Sequence, residues 1–148
     1  MQGQNATIAV SRPRSTYLCW RPYSNVPIMN MDSEDFSRAW VEAWNAHDVE
    51  SVLAFFHQDV VFTSPVALRL LPETAGVIQG KTSLRTYWTT ALQLMHNLNF
   101  TIEAVYEGIN SVVIAYRNQD EKRVSEVLIF GADDLIIEGH GTYVVPPG

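Results

Sequence analysis

Residues 39–66 read AWVEAWNAHDVESVLAFFHQDVVFTSPV, and this stretch decides the fold. Its apolar residues first recur at 3.6-residue spacing, which predicts the end of an amphipathic helix. Asp48 follows at a position suited to cap a second, short helix whose apolar stripe ends at Phe56. The β-branched and aromatic run at 60–63 then predicts a strand that stops before Pro65.

The pattern extends in both directions from this stretch. Asp32 or Ser33 can cap the first helix, and an uninterrupted apolar stripe over 84–95 predicts a third helix. Residues 66–80 contain one proline and two glycines, so we expect a long loop or a broken strand there. Strands are predicted at about 98–108, 110–118, 122–131 and 134–144.

Helices that precede an antiparallel meander indicate the α+β class rather than alternating α/β units. A sheet with helices on one face can curl around them. We therefore expect a curved antiparallel sheet wrapped around three helices. The space between the two layers would be cone-shaped, with an apolar pocket at its open end.

Composition argues against several functional classes. The 148 residues are 47% hydrophobic and 18% charged, which is typical of one globular domain. A net charge of −6 argues against a nucleic-acid partner. No apolar run approaches the roughly 18 residues of a membrane span. One cysteine cannot form an internal disulfide, so a cytoplasmic protein is the expectation.

Charge divides the chain into two parts. Residues 1–31 carry three arginines and no acid, whereas residues 32–148 hold all 16 acidic residues. The first part has three prolines and no sustained periodicity, so we expect a poorly ordered or irregular extension followed by a domain over 32–148. An organelle transit peptide is an alternative interpretation of this arginine-rich, acid-free leader.

Glu126 is the residue of greatest chemical interest. In the strand over 122–131 it alternates with Val124, Leu128 and Phe130, so one strand face carries a carboxylate within an apolar stripe. Because burying a charge is costly, a buried carboxylate is expected either to have an ion-pair or hydrogen-bond partner or to serve a function. Because burial penalises the charged form, such a glutamate would have a raised pKa and could act as a general acid or base.

Two other interpretations of Glu126 stay open at this point. Arg117 on the preceding strand could pair with it, which would make Glu126 an ionised structural residue. The alternation could also be inverted, because the other strand face (Ser125, Val127 and Ile129) is largely apolar too. A dimer interface on the outer face of the sheet would explain two apolar faces.

The stretch 39–66 resembles the opening of nuclear transport factor 2-like domains, and among these the SnoaL-like polyketide cyclase and ketosteroid isomerase branch. The similarity lies in a helix ending in an Asn-Ala-x-Asp turn, a short helix closing on an aromatic pair, a strand leaving at a proline, and a later Gly-Lys. It extends over about 33–145. It implies a curved sheet around three helices, a deep apolar pocket, and a homodimer through the outer sheet face.

The resemblance also implies roles for single residues. Ketosteroid isomerases use a tyrosine donor on the first helix, an aspartate base before the proline, and a second acid kept protonated by its apolar site. These positions fall on Trp40, Ser64 and Glu126. Trp40 keeps one N–H donor, whereas Ser64 cannot by itself carry a proton between carbons near neutral pH.

The expected function is therefore a SnoaL-like enzyme that acts on a compact apolar small molecule by general acid/base chemistry. The reaction would be of isomerase, cyclase, dehydratase or hydrolase type, with Glu126 catalytic and no metal or organic cofactor implied. The alternative is a non-catalytic dimeric module that binds a ligand or another protein. The residues expected to contact the ligand are Trp40, Trp44, Phe62, Ser64, Trp88, Leu92, Leu128 and Tyr143.

Further polar groups are candidates for a place beside Glu126. Tyr116 and His140 are the first of these, and a partner in proton transfer could also come from Tyr87, His96 or Asp59. In the last strand, alternation favours an inward set of Leu135, Ile137, Gly139, Gly141 and Tyr143 and an outward set of Ile136, Glu138, His140 and Thr142. A bulge would reverse these directions.

Overall fold

The computed structural model describes residues 31–146, in which helices pack on one face of a six-stranded sheet. The helices are α1 (Ser33–Asn45), α2 (Val49–Leu53), α3 (Pro65–Leu70) and α4 (Lys81–Leu94). The strands are β1 (Phe56–Thr63), β2 (Val77–Gln79), β3 (Thr101–Gly108), β4 (Ser111–Arg117), β5 (Arg123–Phe130) and β6 (Ile136–Tyr143). The prediction of an irregular extension falls mainly on residues 1–30, outside the described residues.

The first two helices begin at aspartate caps. The Asp32 carboxylate accepts a hydrogen bond from the Asp35 N–H at 2.8 Å, so Asp32 is the cap of α1. Asp48 caps α2 in the same way through the Ser51 N–H at 3.1 Å. Each cap satisfies an N–H that the helix itself leaves unpaired. In the described part of the chain, no helix combines the length and apolarity needed to cross a bilayer.

The sheet has the strand order β2-β1-β6-β5-β4-β3. All neighbouring strands are antiparallel except β1 and β6, which are parallel. The sheet is otherwise antiparallel, as predicted, and this pair is the exception. The last strand enters between β1 and β5, and its direction is fixed by β5, on which it folds back. It therefore runs alongside β1 in the same sense.

Residues 66–80 are more regular than predicted. Ser64 caps α3 by accepting a hydrogen bond from the Val66 N–H at 3.1 Å, and Pro65 occupies the first helical position, where no N–H is needed. A 3₁₀ turn (Pro72–Thr74) and strand β2 follow, and β2 pairs with β1. The described chain thus has four α-helices, one more than expected. A six-residue helix is too short to show helical periodicity.

Two strands differ from prediction at their ends. Phe56 belongs to β1 rather than to the stripe of α2. The pairing of β5 with β6 shifts register between Ile129 and Phe130. The irregularity leaves Ile136 fully buried and Ile137 40% exposed, the reverse of the predicted directions for these two residues. The α+β class and the curved sheet with helices on one face are confirmed.

Candidate functional site

Glu126 faces the helices. In β5 buried residues alternate with half-buried ones, and Glu126 belongs to the buried set with 8% of its surface exposed. Ile114, directly opposite on β4, is fully buried as well. The inverted alternation is therefore wrong, and the carboxyl lies within the apolar stripe.

Arg117 does not pair with Glu126. Its guanidinium instead holds Glu103 at 2.6 Å and Glu121 at 3.0 Å on the exposed side of the sheet. The cause is the pleat, since Tyr116 points inward on β4 and the next residue must point outward. Within residues 31–146, no Lys, Arg or His nitrogen lies within ion-pair distance of Glu126.

Tyr116 is the hydrogen-bond partner of Glu126. Its hydroxyl donates to Glu126 Oε1 at 3.0 Å, while Oε2 is buried and has no hydrogen-bond partner among the described residues. Tyr116 pairs with Val124 in the β4–β5 ladder, so it reaches Glu126 diagonally, as a long aromatic side chain can. One carboxyl oxygen is thus held in place and the other is left unbonded.

Burial raises the pKa of Glu126 to about 7, and the hydrogen bond from Tyr116 offsets only part of this effect. Removing a carboxylate from water destabilises its charged form, and no cation compensates here. Both protonation states are therefore populated near neutral pH, which suits a general acid or base. Burial also raises the pKa of Tyr116 well above its ordinary value, so Tyr116 remains a donor.

Ser64 and Tyr87 are hydrogen-bonded to each other beside Glu126. Tyr87 donates to Ser64 Oγ at 3.4 Å, and burial raises the pKa of Tyr87 to about 12. Across the β5–β6 ladder Glu126 pairs with Gly141. A Cβ at Gly141 would lie 3.5 Å from both Glu126 Oε1 and Ser64 Oγ. The two oxygens therefore border the space that the missing side chain of Gly141 leaves.

Tyr143 belongs to the same cluster, and the charge of Arg69 acts on it. Burial raises the pKa of Tyr143, the charge of Glu126 raises it further, and the charge of Arg69 lowers it. Arg69 also lowers the pKa of Tyr87. Arg69 was not a predicted site residue, because its helix α3 was not predicted. The inner polar cluster is defined below as Ser64, Tyr87, Tyr116, Glu126 and Tyr143.

The aromatic residues predicted to contact a ligand pack against one another. The Trp44 and Trp88 ring centroids are 4.9 Å apart, those of Phe62 and Trp88 5.4 Å, and those of Trp40 and Trp44 6.0 Å. Leu128 is fully buried, and Leu92 is partly buried against the same core. Among the described residues, the indole N–H groups of Trp40 and Trp44 have no hydrogen-bond partner. A ligand-binding role for these residues stays a prediction.

His140 lies on the opposite face of the sheet from Glu126. Its Nδ1 is 2.6 Å from Thr63 Oγ1 and its Nε2 is 2.7 Å from Glu138 Oε1. The outward direction was predicted correctly, so His140 is not part of the inner polar cluster. The other two candidates, Asp59 and His96, are exposed. Over residues 31–146, no three His, Cys, Asp or Glu side chains are grouped so as to hold a metal ion.

A groove of about 290 Å³ lies at the end of β4, β5 and β6. Of the residues that line this groove, only Tyr143 belongs to the inner polar cluster, and Glu126 does not line it. It is lined by Glu103, Ala115, Arg123, Val124, Ser125, Thr142, Tyr143 and Val144.

Comparison with known proteins gives a consistent result. A family model described as a SnoaL-like domain matches residues 37–140. A SnoaL-like protein of unknown function from Burkholderia thailandensis is 32% identical, with a TM-score of 0.72 over 76% of this chain and 94% of that chain. Among curated proteins, the comparison finds no match.

More distant solved structures share the fold. A candidate isomerase of the SnoaL-like family from Agrobacterium tumefaciens is 13% identical, with a TM-score of 0.61 over 76% of this chain and 97% of that chain. TerC, co-crystallised with polyporic acid, is 12% identical, with a TM-score of 0.60 over 72% of this chain and 87% of that chain. At these identities the similarity shows the fold alone.

Proposed function

Because this chain belongs to the SnoaL-like domain family, we propose that it is an enzyme that acts on a compact apolar small molecule by general acid/base chemistry. The observation that carries the proposal is the state of Glu126. Its carboxyl is buried and hydrogen-bonded through one oxygen only, with a pKa of about 7. Holding a carboxyl in this state costs stability, which is typical of a functional group.

The chemistry follows from the two protonation states of Glu126. The protonated form donates to a carbonyl, hydroxyl or epoxide oxygen of the substrate, and the ionised form takes a proton back from the substrate or from water. Tyr116 keeps Oε1 occupied, so Oε2 is the oxygen available for exchange. Ser64 and Tyr87 are near enough to orient a second polar atom of the substrate. These steps serve isomerisation, cyclisation, dehydration or hydrolysis.

Substitution of Glu126 by glutamine tests the proposal, because glutamine keeps the size of the side chain but cannot exchange a proton. Small β,γ-unsaturated ketones, hydroxyketones and epoxides would be supplied as substrates, with products followed by absorbance and mass spectrometry. We expect the wild type to convert at least one compound, and Glu126→Gln to lose 10²-fold or more, about the usual range of general acid/base catalysis.

The matched control is Glu42→Gln on the exposed face of α1, which should keep wild-type turnover. The Glu126→Gln variant must also show the wild-type circular dichroism spectrum, so that lost turnover is not lost folding. Wild-type turnover in Glu126→Gln would contradict the catalytic role.

A non-catalytic binding protein is the second candidate, and one observation favours it. Ketosteroid isomerases, which this chain resembles, have their base at the position of Ser64. Here the Ser64 hydroxyl oxygen already accepts hydrogen bonds from the Val66 N–H and from the Tyr87 hydroxyl. A neighbour of the same fold, TerC, has been co-crystallised with polyporic acid. Tight binding of a substrate candidate without conversion, and equal affinity in Glu126→Gln, would favour this second function.

We also propose that two copies of the chain pair through the outer face of the sheet. On this face Val113, Val127 and Ile129 are only half buried, while Tyr106 and Ile137 are 60% and 40% exposed. An exposed apolar sheet face of this kind is typical of a protein–protein interface. The test belongs to the scale of the whole molecule and is given in the Discussion.

A further inference from the structure

Among the arginines of residues 31–146, Arg69 differs from the others in its ion pairing. Residues 31–146 contain five arginines. Four of them lie within 4 Å of a carboxylate: Arg38 of Asp35, Arg85 of Glu50, and Arg117 and Arg123 of Glu103. No carboxylate of the described residues lies within this distance of Arg69, which is exposed. A cation that the described residues do not pair is available to a ligand.

The position of Arg69 is set by α3. This helix starts directly after Ser64, a member of the inner polar cluster, and packs against β6, which carries Gly141 and Tyr143. Arg69 is three residues after Val66, so the two share a helix face, and Val66 is buried. With a rise of about 1.5 Å per residue, the arginine is about one and a half helical turns from Ser64, within reach of its own long side chain.

The charge of Arg69 also acts on two hydroxyls of the same cluster. The charge of Arg69 lowers the pKa of Tyr87 on α4 and of Tyr143 on β6. The charge of Glu126 raises the pKa of both tyrosines. These effects agree with the position that α3 gives Arg69, which is exposed on a helix that packs against β6, whereas Glu126 is buried.

We propose that Arg69 binds a carboxylate of the substrate, so that the substrate class is a compact apolar carboxylic acid. This inference rests on the proposed function, since it names the substrate class of the same site. Arginine presents two parallel N–H donors that match a carboxylate. A carboxylate matches the charge of this single cation, whereas a phosphate dianion would bring a second negative charge to a chain whose net charge is already −6.

A carboxylate bound to Arg69 also determines the orientation of the substrate between Arg69 and Glu126. An anion beside ionised Glu126 would be repelled, so the carboxylate must lie at the Arg69 end. The apolar part then extends towards the buried Trp88 and Phe62, and the oxygen that exchanges a proton lies at Glu126. A neutral analogue of the same shape would keep the apolar contacts but lose the contact with Arg69.

Pairs of acids and amides of equal shape test this inference. Benzoic acid, 3-phenylpropionic acid and 2-naphthoic acid would each be compared with the corresponding primary amide by isothermal titration calorimetry at pH 7.5. We expect at least one acid to bind wild type about tenfold more tightly than its amide, in line with a charge-assisted pair. The Arg69→Gln variant should bind that acid and its amide equally, with the affinity for the amide unchanged.

Arg38→Gln is the control, because Arg38 is exposed on α1 and already pairs with Asp35. It should keep the preference for the acid. The inference is overturned if no acid binds wild type better than its amide, or if the preference survives in Arg69→Gln. Glu126→Gln should keep the preference for the acid, so failure of the catalytic role and failure of the Arg69 role give different results.

Discussion

At Glu126 two effects shift the pKa of one carboxyl in opposite directions. Burial favours the neutral form, and the hydrogen bond from Tyr116 favours the charged form. Burial dominates, because the described residues provide no cation and leave one oxygen unbonded. A single buried residue thus makes the stability of the protein depend on pH.

The sign of this dependence follows from the pKa of Glu126, which rises from 4.5 to about 7 on folding. The folded protein then holds this proton more tightly than the unfolded chain does. The associated stability is complete below pH 4.5 and is lost as the pH rises through 7. From pH 4.5 to 8 the loss amounts to about 3 kcal/mol at most, at about 1.4 kcal/mol per pKa unit.

We expect Glu126→Gln to lack this loss, because glutamine does not titrate. Urea denaturation at pH 4.5 and pH 8 would measure the free energy of unfolding of both proteins. Relative to the variant, wild type should become less stable at the higher pH by up to about 3 kcal/mol. Parallel behaviour of wild type and variant across this range would mean that Glu126 titrates as an ordinary surface carboxyl.

The sequence identified Glu126 and named Tyr116 and Tyr87 among its candidate neighbours, but it did not place them. Alternation in the strand placed the carboxyl in an apolar stripe, and the structure confirms that placement. The hydrogen bond from Tyr116 depends on the register between β4 and β5, which the turn between them sets. Arg69 depends on α3, whose six residues carry no periodic signal. The pair Ser64-Pro65 was the one local sign of that helix, since serine caps and proline begins helices.

Among the elements, β6 is shaped by its glycines. At Gly139 a Cβ would lie 2.8 Å from Cδ2 of the Phe62 ring, closer than real contacts allow. At Gly141 the nearest atoms, Glu126 Oε1 and Ser64 Oγ, would be at an ordinary 3.5 Å. The first glycine thus admits an aromatic ring from β1, and the second borders the inner polar cluster.

Alanine at these two glycines should therefore have unequal effects. We expect Gly139→Ala to lower the free energy of unfolding by about 1–3 kcal/mol, because the ring of Phe62 must move in a packed core. Gly141→Ala should cost less, and its main effect should be on ligand affinity. Thermal and urea denaturation of the two variants would check this order. Equal stabilities would show that Phe62 repacks freely.

The main elements were predictable from sequence where their patterns are long. Helices α1 and α4 and strands β4 and β5 have enough residues for a stripe or an alternation to show. The parallel pairing of β1 with β6 was not predictable, because it joins segments about 80 residues apart. Ile136 and Ile137 point in directions opposite to those predicted because the strand register is irregular there. No local sequence pattern indicates this irregularity.

For the whole molecule, the outer face of the sheet is the surface that decides assembly. Val127 lies near the middle of this face, paired with Val113 on one side and His140 on the other. A lysine there would place a charge in an apolar interface, at the cost of its desolvation. We expect wild type to run as a dimer in size-exclusion chromatography with light scattering, and Val127→Lys to run as a monomer.

The control for this experiment is Leu94→Lys, at an exposed position at the end of α4, away from the sheet. It should leave the mass unchanged. A monomeric wild type at micromolar concentration, or a Val127→Lys variant that stays dimeric, would contradict pairing through this face.

The central place of β6 has a consequence for biosynthesis. Among the described strands, only β6 connects the β2–β1 ribbon to the β3–β4–β5 meander, yet it leaves the ribosome after both. Until then, β1 and β5 each expose an unpaired edge that can capture a strand of another chain. Nascent chains stopped before residue 136 should therefore aggregate or recruit chaperones. Those extended past residue 143 should acquire protease resistance in one step.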